Sequence, residues 1–159
     1  MLGWTNRLRY YFDNKKERYS DIYSIGISGN TSKDLLERFD TEAKIRISKT
    51  RTNIFIFEIG LNDAQYLIDK QDRRIPLSQF EDNLRSLYFS AQKFATLIIF
   101  LGITNIDEKK TVPTSWNANH AFYTKDVSVY NQKLQNFCKD NEIPFIDVFS
   151  LLDPNDLED

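Results

Sequence analysis

The chain has 159 residues, of which 41% are hydrophobic and 28% are charged, a composition typical of one globular domain rather than of a disordered chain. Its formal net charge of −2 argues against nucleic acid as the main partner, because a nucleic-acid-binding face needs a concentration of basic residues. Cys138 is the only cysteine, so an internal disulfide is excluded.

The first predicted element is an amphipathic helix near the start of the chain. Trp4, Leu8, Tyr11 and Phe12 recur at helical spacing and give this helix one apolar face. Residues 21–27, with the sequence Asp-Ile-Tyr-Ser-Ile-Gly-Ile, are predicted to form the first strand.

A turn at residues 28–32, Ser-Gly-Asn-Thr-Ser, connects this strand to a second predicted helix. A strand, a glycine turn and a helix N-terminus together present free backbone N–H groups, which suit an anion or an oxyanion. Thr31 or Ser32 is also a suitable helix cap, which would explain the turn without any ligand. The turn matches neither the Walker phosphate loop nor the dinucleotide-binding glycine pattern.

The stretch at residues 53–63 gives the clearest strand signal in the chain. Its run Ile-Phe-Ile-Phe is typical of a strand that is buried on both faces of a parallel sheet. Gly60 permits a sharp turn, and Asn62 and Asp63 then place polar side chains at the carboxyl end of the strand, where open α/β sheets bind ligands. Asn and Asp also favour turns for local reasons, so an Asx turn with no ligand is the alternative.

The second half of the chain continues the same alternation. Residues 78–81, Ser-Gln-Phe-Glu, are predicted to form a capping box at the start of a helix. Residues 96–103 and 143–149 are predicted strands, and the helix between them carries its apolar side chains at Val127, Tyr130, Leu134, Phe137 and Cys138. Strands that alternate with helices predict a parallel, three-layer α/β domain.

A loop of about 20 residues is predicted between Asn105 and Lys125, which is long for a compact domain. It is rich in aromatic residues, including Trp116, and it leaves the carboxyl end of a strand, so it is a candidate wall of a binding pocket. It also contains His120, the only histidine. Sequence spacing places no nucleophile near His120, so the pattern does not identify it as a catalytic base.

The turn at residues 28–32 and the segment Gly60-Leu61-Asn62-Asp63, in this order, resemble the second and third sequence blocks of the SGNH (GDSL) hydrolases. This is a family of serine esterases and acyl hydrolases. The helix with Trp4 and Leu8 is similar to the first helix of the family.

Three further segments extend the resemblance towards the end of the chain. Residues 111–116, Thr-Val-Pro-Thr-Ser-Trp, and residues 129–131, Val-Tyr-Asn, are similar to a loop and a helix of one bacterial branch of the family. Residues 157–159, Leu-Glu-Asp, resemble the start of the family's Asp-x-x-His block.

The resemblance implies a flavodoxin-like α/β/α fold over residues 1–159 and hydrolysis of a small-molecule ester, with no cofactor and no metal. In this family a Ser attacks the carbonyl, a His accepts its proton and an Asp orients the His. The oxyanion is held by the Ser N–H, a glycine N–H and an asparagine side chain. Carried over by motif, the glycine is Gly29, the asparagine is Asn62 and the triad Asp is Asp159. We therefore expect the Gly29 N–H and the Asn62 carboxamide to converge at the carboxyl edge of the sheet.

Two triad members have no counterpart in the sequence. The family's Gly-Asp-Ser block precedes the helix that carries Trp4, and its His follows three residues after the position of Asp159. The chain is therefore expected to be a fragment, truncated at both ends and inactive as written. Without the family's first strand, a gap is expected between the strands that end at Ile27 and Ile59, and the isolated chain should be poorly soluble or molten.

Two other functions remain open at this stage. The turn Ser28-Gly29-Asn30-Thr31 is similar to the flavodoxin loop that holds the FMN phosphate, which would make the chain a flavin-binding module. Alternatively, the chain is a non-catalytic α/β binding domain. No signal peptide is visible, which predicts a cytoplasmic location, and the longest apolar run, residues 97–101, is too short to span a membrane. The sequence does not distinguish an acyl ester, an acetylated sugar or a phospholipid as substrate, and it does not indicate an oligomeric state.

Overall fold

The computed structural model describes residues 3–15 and 20–151. The helices in these ranges are α1 (Trp4–Asp13), α2 (Ser32–Lys44), α3 (Leu77–Gln92), α4 (Glu108–Thr111), α5 (Thr124–Asp140) and α6 (Val148–Leu151). The strands are β1 (Ile54–Phe57), β2 (Tyr66–Leu67), β3 (Asp72–Arg73), β4 (Leu97–Leu101), β5 (His120–Ala121) and β6 (Phe145–Ile146).

The main sheet is parallel and has the strand order β1-β4-β6. Phe57 of β1 is paired with Phe100 of β4, which in turn is paired with Phe145 of β6. These strands are built from β-branched and aromatic residues, which pack well on a pleated surface. The predicted parallel α/β/α class is therefore confirmed.

The core is held together by aromatic side chains that connect helices to the sheet. Phe39 of α2 contacts Phe57 of β1 at a ring-centroid distance of 5.5 Å, and Phe57 stacks on Phe100 of β4 at 5.0 Å. Phe100 then meets Phe137 of α5 edge to face at 6.1 Å. Such pairs contribute about 0.5–1.5 kcal/mol each beyond their buried area. Cys138 lies beside this chain of rings, fully buried as predicted, and burial raises the pKa of its thiol to about 12.

A second, small antiparallel sheet has the strand order β3-β2-β5. Tyr66 of β2 is paired with Arg73 of β3 on one side and with Ala121 of β5 on the other. The sequence prediction missed this sheet, because strands of two residues have no alternation that a pattern could reveal. The prediction of one continuous loop at residues 105–125 is also corrected, because this segment contains α4 and β5.

The strand predicted at residues 21–27 is wrong. This segment is irregular, and Tyr23 and Ile27 expose 57% and 54% of their surface. A strand needs a hydrogen-bonded neighbour, but here the Ile22 carbonyl accepts a hydrogen bond from the Arg9 side chain at 2.8 Å instead. In the described ranges β1 pairs only with β4, and its first residue, Ile54, is 53% exposed, contrary to the prediction of burial on both faces.

Two other predicted elements differ at their ends. The capping box at residues 78–81 is wrong, because the N-cap of α3 is Pro76, two residues before Ser78. Glu81 forms an ion pair with Lys133 at 2.8 Å rather than reaching back to the helix start. The strand predicted at residues 143–149 is limited to Phe145–Ile146, and α6 follows it.

The helix α1 forms as predicted, but its apolar face is not covered by the described part of the chain. None of its residues is buried, and Tyr10 and Tyr11 are 72% and 53% exposed. Its contact with the sheet is made by Trp4, whose indole N–H donates to Glu58 after β1 at 2.5 Å. Among the residues that are described, no helix has the length and apolar character that a membrane span requires.

Candidate active site

Gly29 lies at the tip of the turn that precedes α2. The Asn30 N–H donates to the Ile27 carbonyl at 3.1 Å, which closes the turn, and Gly29 adopts a φ of +80° that favours glycine. No acceptor in residues 3–15 or 20–151 takes the Gly29 N–H, and a Cβ built at this position would meet no atom within 4 Å. The turn therefore offers a free backbone donor in open space.

Gly60 lies in the second turn, three residues after the end of β1. Its φ is +124°, and a Cβ placed there would lie 2.7 Å from Ile103 Cδ1 and 2.9 Å from Phe80 Cζ. Only glycine fits this close approach between the turn and the core. The tight turn places Asn62 and Asp63 immediately beside the start of α2.

Asn62 is oriented towards the turn that carries Gly29. Its Nδ2 donates to the Asn30 carbonyl at 2.9 Å, which uses one of the two amide hydrogens. The structure thus brings the segments of the predicted Gly29 and Asn62 donors together at the carboxyl end of β1. Whether both donors act on one oxyanion stays a prediction.

Asp63 connects the segment after β1 to the start of α2. Its carboxylate is fully buried and accepts hydrogen bonds from the Ser32 backbone N–H, at 2.9 Å to Oδ2, and from the Ser32 hydroxyl. Asn83 of α3 donates to the same hydroxyl at 2.8 Å. Because Ser32 is the first residue of α2, Asp63 satisfies a backbone donor that a helix N-terminus otherwise leaves unpaired.

The pKa of the Asp63 carboxyl is raised above its usual value by burial, and the hydrogen bonds from Ser32 oppose this shift. The sequence pattern identified Asp63 only as a polar residue at the end of a strand. Its role as a clamp between the Gly60 turn and α2 depends on Ser32 and Asn83, which lie far from it in the sequence, so no local signal could have revealed it.

The start of α2 has a second carboxylate that serves as a cap. Thr31 is the N-cap residue, as predicted, and it exchanges hydrogen bonds with Asp34 in a capping box. The hydrogen bonds from Thr31 hold the pKa of Asp34 below its usual value. Arg74 lies 3.9 Å from Asp34, which links this turn to the end of the small sheet.

The structure does not complete a catalytic triad within the described ranges. His120 lies on β5, where its Nε2 is 3.3 Å from the Asn117 carboxamide, and no serine contacts it. Ser28 is exposed beside Gly29. The predicted triad residue Asp159 lies outside the described residues.

The flavin alternative is disfavoured by the hydrogen bonds of the same turn. The backbone N–H groups of Thr31 and Ser32 already donate to Asp34 and Asp63, so these two donors are not free for a phosphate. A phosphate would also face both carboxylates. In the part of the chain that is described, no cluster of three or more His, Cys, Asp or Glu side chains is arranged to hold a metal ion.

Comparison with known proteins agrees with the family resemblance of the sequence motifs. The family model described as "GDSL-like Lipase/Acylhydrolase family" matches residues 2–159. Among proteins with curated descriptions, none matches the chain in sequence.

Solved structures of esterases share the fold at low sequence identity. An acetyl xylan esterase, AlAXEase, superimposes with a TM-score of 0.70 at 19% identity, covering 93% of this chain and 69% of its own. The esterase EstA from Pseudoalteromonas sp., inhibited by monoethylphosphonate, gives 0.61 at 19% identity, covering 91% of this chain and 66% of its own. A lipase/acylhydrolase from Enterococcus faecalis gives 0.56 at 19% identity, covering 77% and 53%. The chain thus spans from about half to about two thirds of the length of these proteins.

Proposed function

The chain belongs to the GDSL-like lipase/acylhydrolase family, and from this premise we propose that its residues supply the oxyanion-binding half of an ester hydrolase site. Gly29 and Asn62 are the proposed donors, and Asp159 is the proposed residue that orients the catalytic His. The proposed catalytic unit is the single α/β domain over residues 1–159, together with a Ser and a His of the family type.

The observation that carries this proposal is the contact between Asn62 and the Gly29 turn. The hydrogen bond from Asn62 Nδ2 to the Asn30 carbonyl fixes the carboxamide one residue away from the free Gly29 N–H. During ester hydrolysis the carbonyl oxygen gains negative charge as the nucleophile adds to the carbon. Neutral donors that are fixed in advance stabilise this charge without reorganising, and loss of one donor typically lowers kcat by about 10²–10³-fold.

A first assay tests whether the 159-residue chain, with the proposed oxyanion donors but no nucleophile–base pair, is inactive on its own. The 159-residue chain should hydrolyse p-nitrophenyl acetate no faster than the buffer, because His120 and the described serines form no nucleophile–base pair. Turnover typical of a serine esterase that disappears in a Ser28→Ala or His120→Ala variant would contradict this proposal.

A second assay tests the donor directly, in the longest product of the reading frame that contains these residues. Asn62→Ala should lower kcat by about 10²–10³-fold and change KM little. Asn136→Ala is the matched control, because Asn136 is exposed on α5, and its activity should equal that of the unmodified protein. If no product of the reading frame hydrolyses esters, the alternative of a non-catalytic α/β binding domain is correct.

A further inference from the structure

The turn at residues 60–63, which carries the proposed donor Asn62, is in direct contact with the core. Gly60 has no side chain of its own, and a Cβ placed there would lie 2.7 Å from Ile103 Cδ1 and 2.9 Å from Phe80 Cζ. Both of these side chains are buried, so the backbone of the turn packs on two closely confined groups. The position of Asn62 therefore depends on what holds Ile103 and Phe80 in place.

Ile103 is held by Asn131 of α5. The Asn131 residue is 6% exposed, and its Oδ1 accepts a hydrogen bond from the Ile103 backbone N–H at 2.8 Å. Gly102 permits this approach, because a Cβ placed there would lie 3.0 Å from the same oxygen. Asn131 thus fixes the segment after β4 that packs on the Gly60 turn.

Phe80 is in contact with Tyr130, the neighbouring residue on α5. The centroids of the two rings lie 5.2 Å apart in a tilted arrangement. The Tyr130 hydroxyl also donates to the Ile75 carbonyl, and the Ile75 N–H donates to the Asp63 carbonyl at 3.2 Å. Burial raises the pKa of Tyr130 to about 12, so the hydroxyl stays protonated and remains a donor at neutral pH. Tyr130 therefore supports the turn at its start, through Phe80, and at its end, through Ile75.

An apolar residue at the position of Asn131 would serve helix stability better. Asparagine is a weaker helix former than leucine, and the other buried residues nearby on α5 include Val127, Leu134 and Phe137, which are apolar. A buried carboxamide adds little net stability, because its hydrogen bond mainly offsets the loss of water. What a directional hydrogen bond adds is one defined arrangement of the segment that it holds.

We propose that Tyr130 and Asn131 are positioning residues for the oxyanion donor Asn62. They hold the turn at residues 60–63 from α5, so that the Asn62 carboxamide keeps its place before the reaction begins. The assignment rests on the proposed ester hydrolysis and deepens it, because it adds two residues that act through the turn without touching the substrate.

Hydrogen exchange in the 159-residue chain tests the positioning without requiring turnover. The Ala64 N–H donates to the Gly60 carbonyl at 3.0 Å, so its exchange reports on the turn directly. Asn131→Ala should increase the exchange rate of a peptide covering residues 60–66 about three- to tenfold relative to a peptide covering residues 84–91 in α3. Equal changes in both peptides would show that Asn131 contributes only to global stability and would overturn the proposal.

Phe137→Leu is the matched control for this measurement. It weakens the same helix through the ring contacts of Phe137 with Phe100 and Tyr88, which do not include the turn. It should therefore change the exchange of the two peptides alike. A selective loss of protection at residues 60–66 in Phe137→Leu as well would show that any weakening of α5 loosens the turn, which would overturn a specific role of Tyr130 and Asn131.

Kinetics of the longest product of the reading frame test the link to Asn62. Asn131→Ala and Tyr130→Phe each remove one hydrogen bond, so each should lower kcat about three- to tenfold with little change in KM. Tyr130→Phe keeps the ring beside Phe80 and is the milder change should Asn131→Ala fail to fold. In an Asn62→Ala background neither change should lower kcat further, because no donor is left to position.

The positioning role and the oxyanion assignment fail in different ways. A product without ester hydrolysis, or an Asn62→Ala variant with unchanged kcat, would overturn the oxyanion assignment and this proposal with it. A large loss in Asn62→Ala, combined with unchanged kcat in both Asn131→Ala and Tyr130→Phe, would overturn the positioning role alone. Losses that add fully to that of Asn62→Ala would do the same, since the residues would then act independently of the donor.

Discussion

Asp63 connects the geometry of the proposed donors to the stability of the fold. Its carboxylate is hidden from solvent, and both the backbone N–H and the hydroxyl of Ser32 depend on it. Since Asn62 is the preceding residue and Gly29 lies in the turn before Ser32, any movement of Asp63 would displace both donor segments. A buried carboxylate of this kind is a positioning residue.

Replacing Asp63 by Ala should lower the free energy of unfolding by about 2–4 kcal/mol, because the Ser32 N–H would remain buried without an acceptor. Asp63→Asn keeps one carbonyl oxygen for Ser32 and should cost less, about 1 kcal/mol. Chemical denaturation of the two variants measures both values. Equal losses in the two variants would show that the acceptor oxygen is not what matters at this position.

At the scale of elements, β1 is an edge strand of the main sheet in the part of the chain that is described. Its neighbour on one side is β4, and within the described residues no strand pairs with its other edge. Ile54 adds an exposed apolar side chain at the beginning of this edge. Unpaired edges of this kind are templates for pairing with another chain, and natural proteins commonly protect them with lysine.

The 159-residue chain should therefore self-associate with rising concentration, and Ile54→Lys should reduce this association. Ile45→Lys is the matched control, because Ile45 is 74% exposed, caps the end of α2 and belongs to no strand. Size-exclusion chromatography over a series of concentrations measures the effect. A monomeric chain with a sharp thermal transition at all concentrations would contradict the expectation that this edge is open.

The elements with long repeating patterns were predictable from sequence, and the short or long-range features were not. The apolar faces of α2, α3 and α5 follow from helical periodicity, and β1 and β4 follow from short continuous apolar runs rich in β-branched and aromatic residues. Residues 21–27 have the composition of a strand, but whether a strand forms depends on a neighbour that composition does not reveal. The Gly29 and Asn62 positions follow from ordered motifs, whereas the contact of Asp63 with Ser32 joins residues far apart in the sequence and has no local signal.

At the scale of the whole molecule, several carboxylates make the stability of the folded state depend on pH. Hydrogen bonds lower the pKa of three of them, namely Asp34 through Thr31, Asp40 through Ser90 and Glu81 through Lys133. A lowered pKa in the folded state adds stability above the unfolded value and loses it as the pH falls through the folded value. Asp63 acts in the opposite direction, because its raised pKa favours the folded state at low pH and this contribution is lost as the pH rises.

The melting temperature should therefore fall as the pH decreases below the ordinary values of 4.5 for Glu and 3.8 for Asp. Asp34→Asn should melt lower than the unmodified chain at about pH 6, and the difference should narrow as the pH falls below 3.8 and the Asp34 carboxylate of the unmodified chain becomes protonated. Asp82→Asn is the control, since Asp82 is an exposed carboxylate on α3. If Asp34→Asn and Asp82→Asn have the same pH profile, the cap does not contribute to acid sensitivity.

The buried thiol of Cys138 can be used to measure how readily the core of this chain opens. A thiol whose pKa is about 12 is almost entirely protonated at neutral pH, and the thiolate is the form that reacts with alkylating reagents. Labelling must therefore wait until α5 leaves the aromatic core and Cys138 meets water. Because the sequence contains no other cysteine, labelling reports on this one site, and its rate follows the population of the open state when the core recloses faster than the reagent reacts.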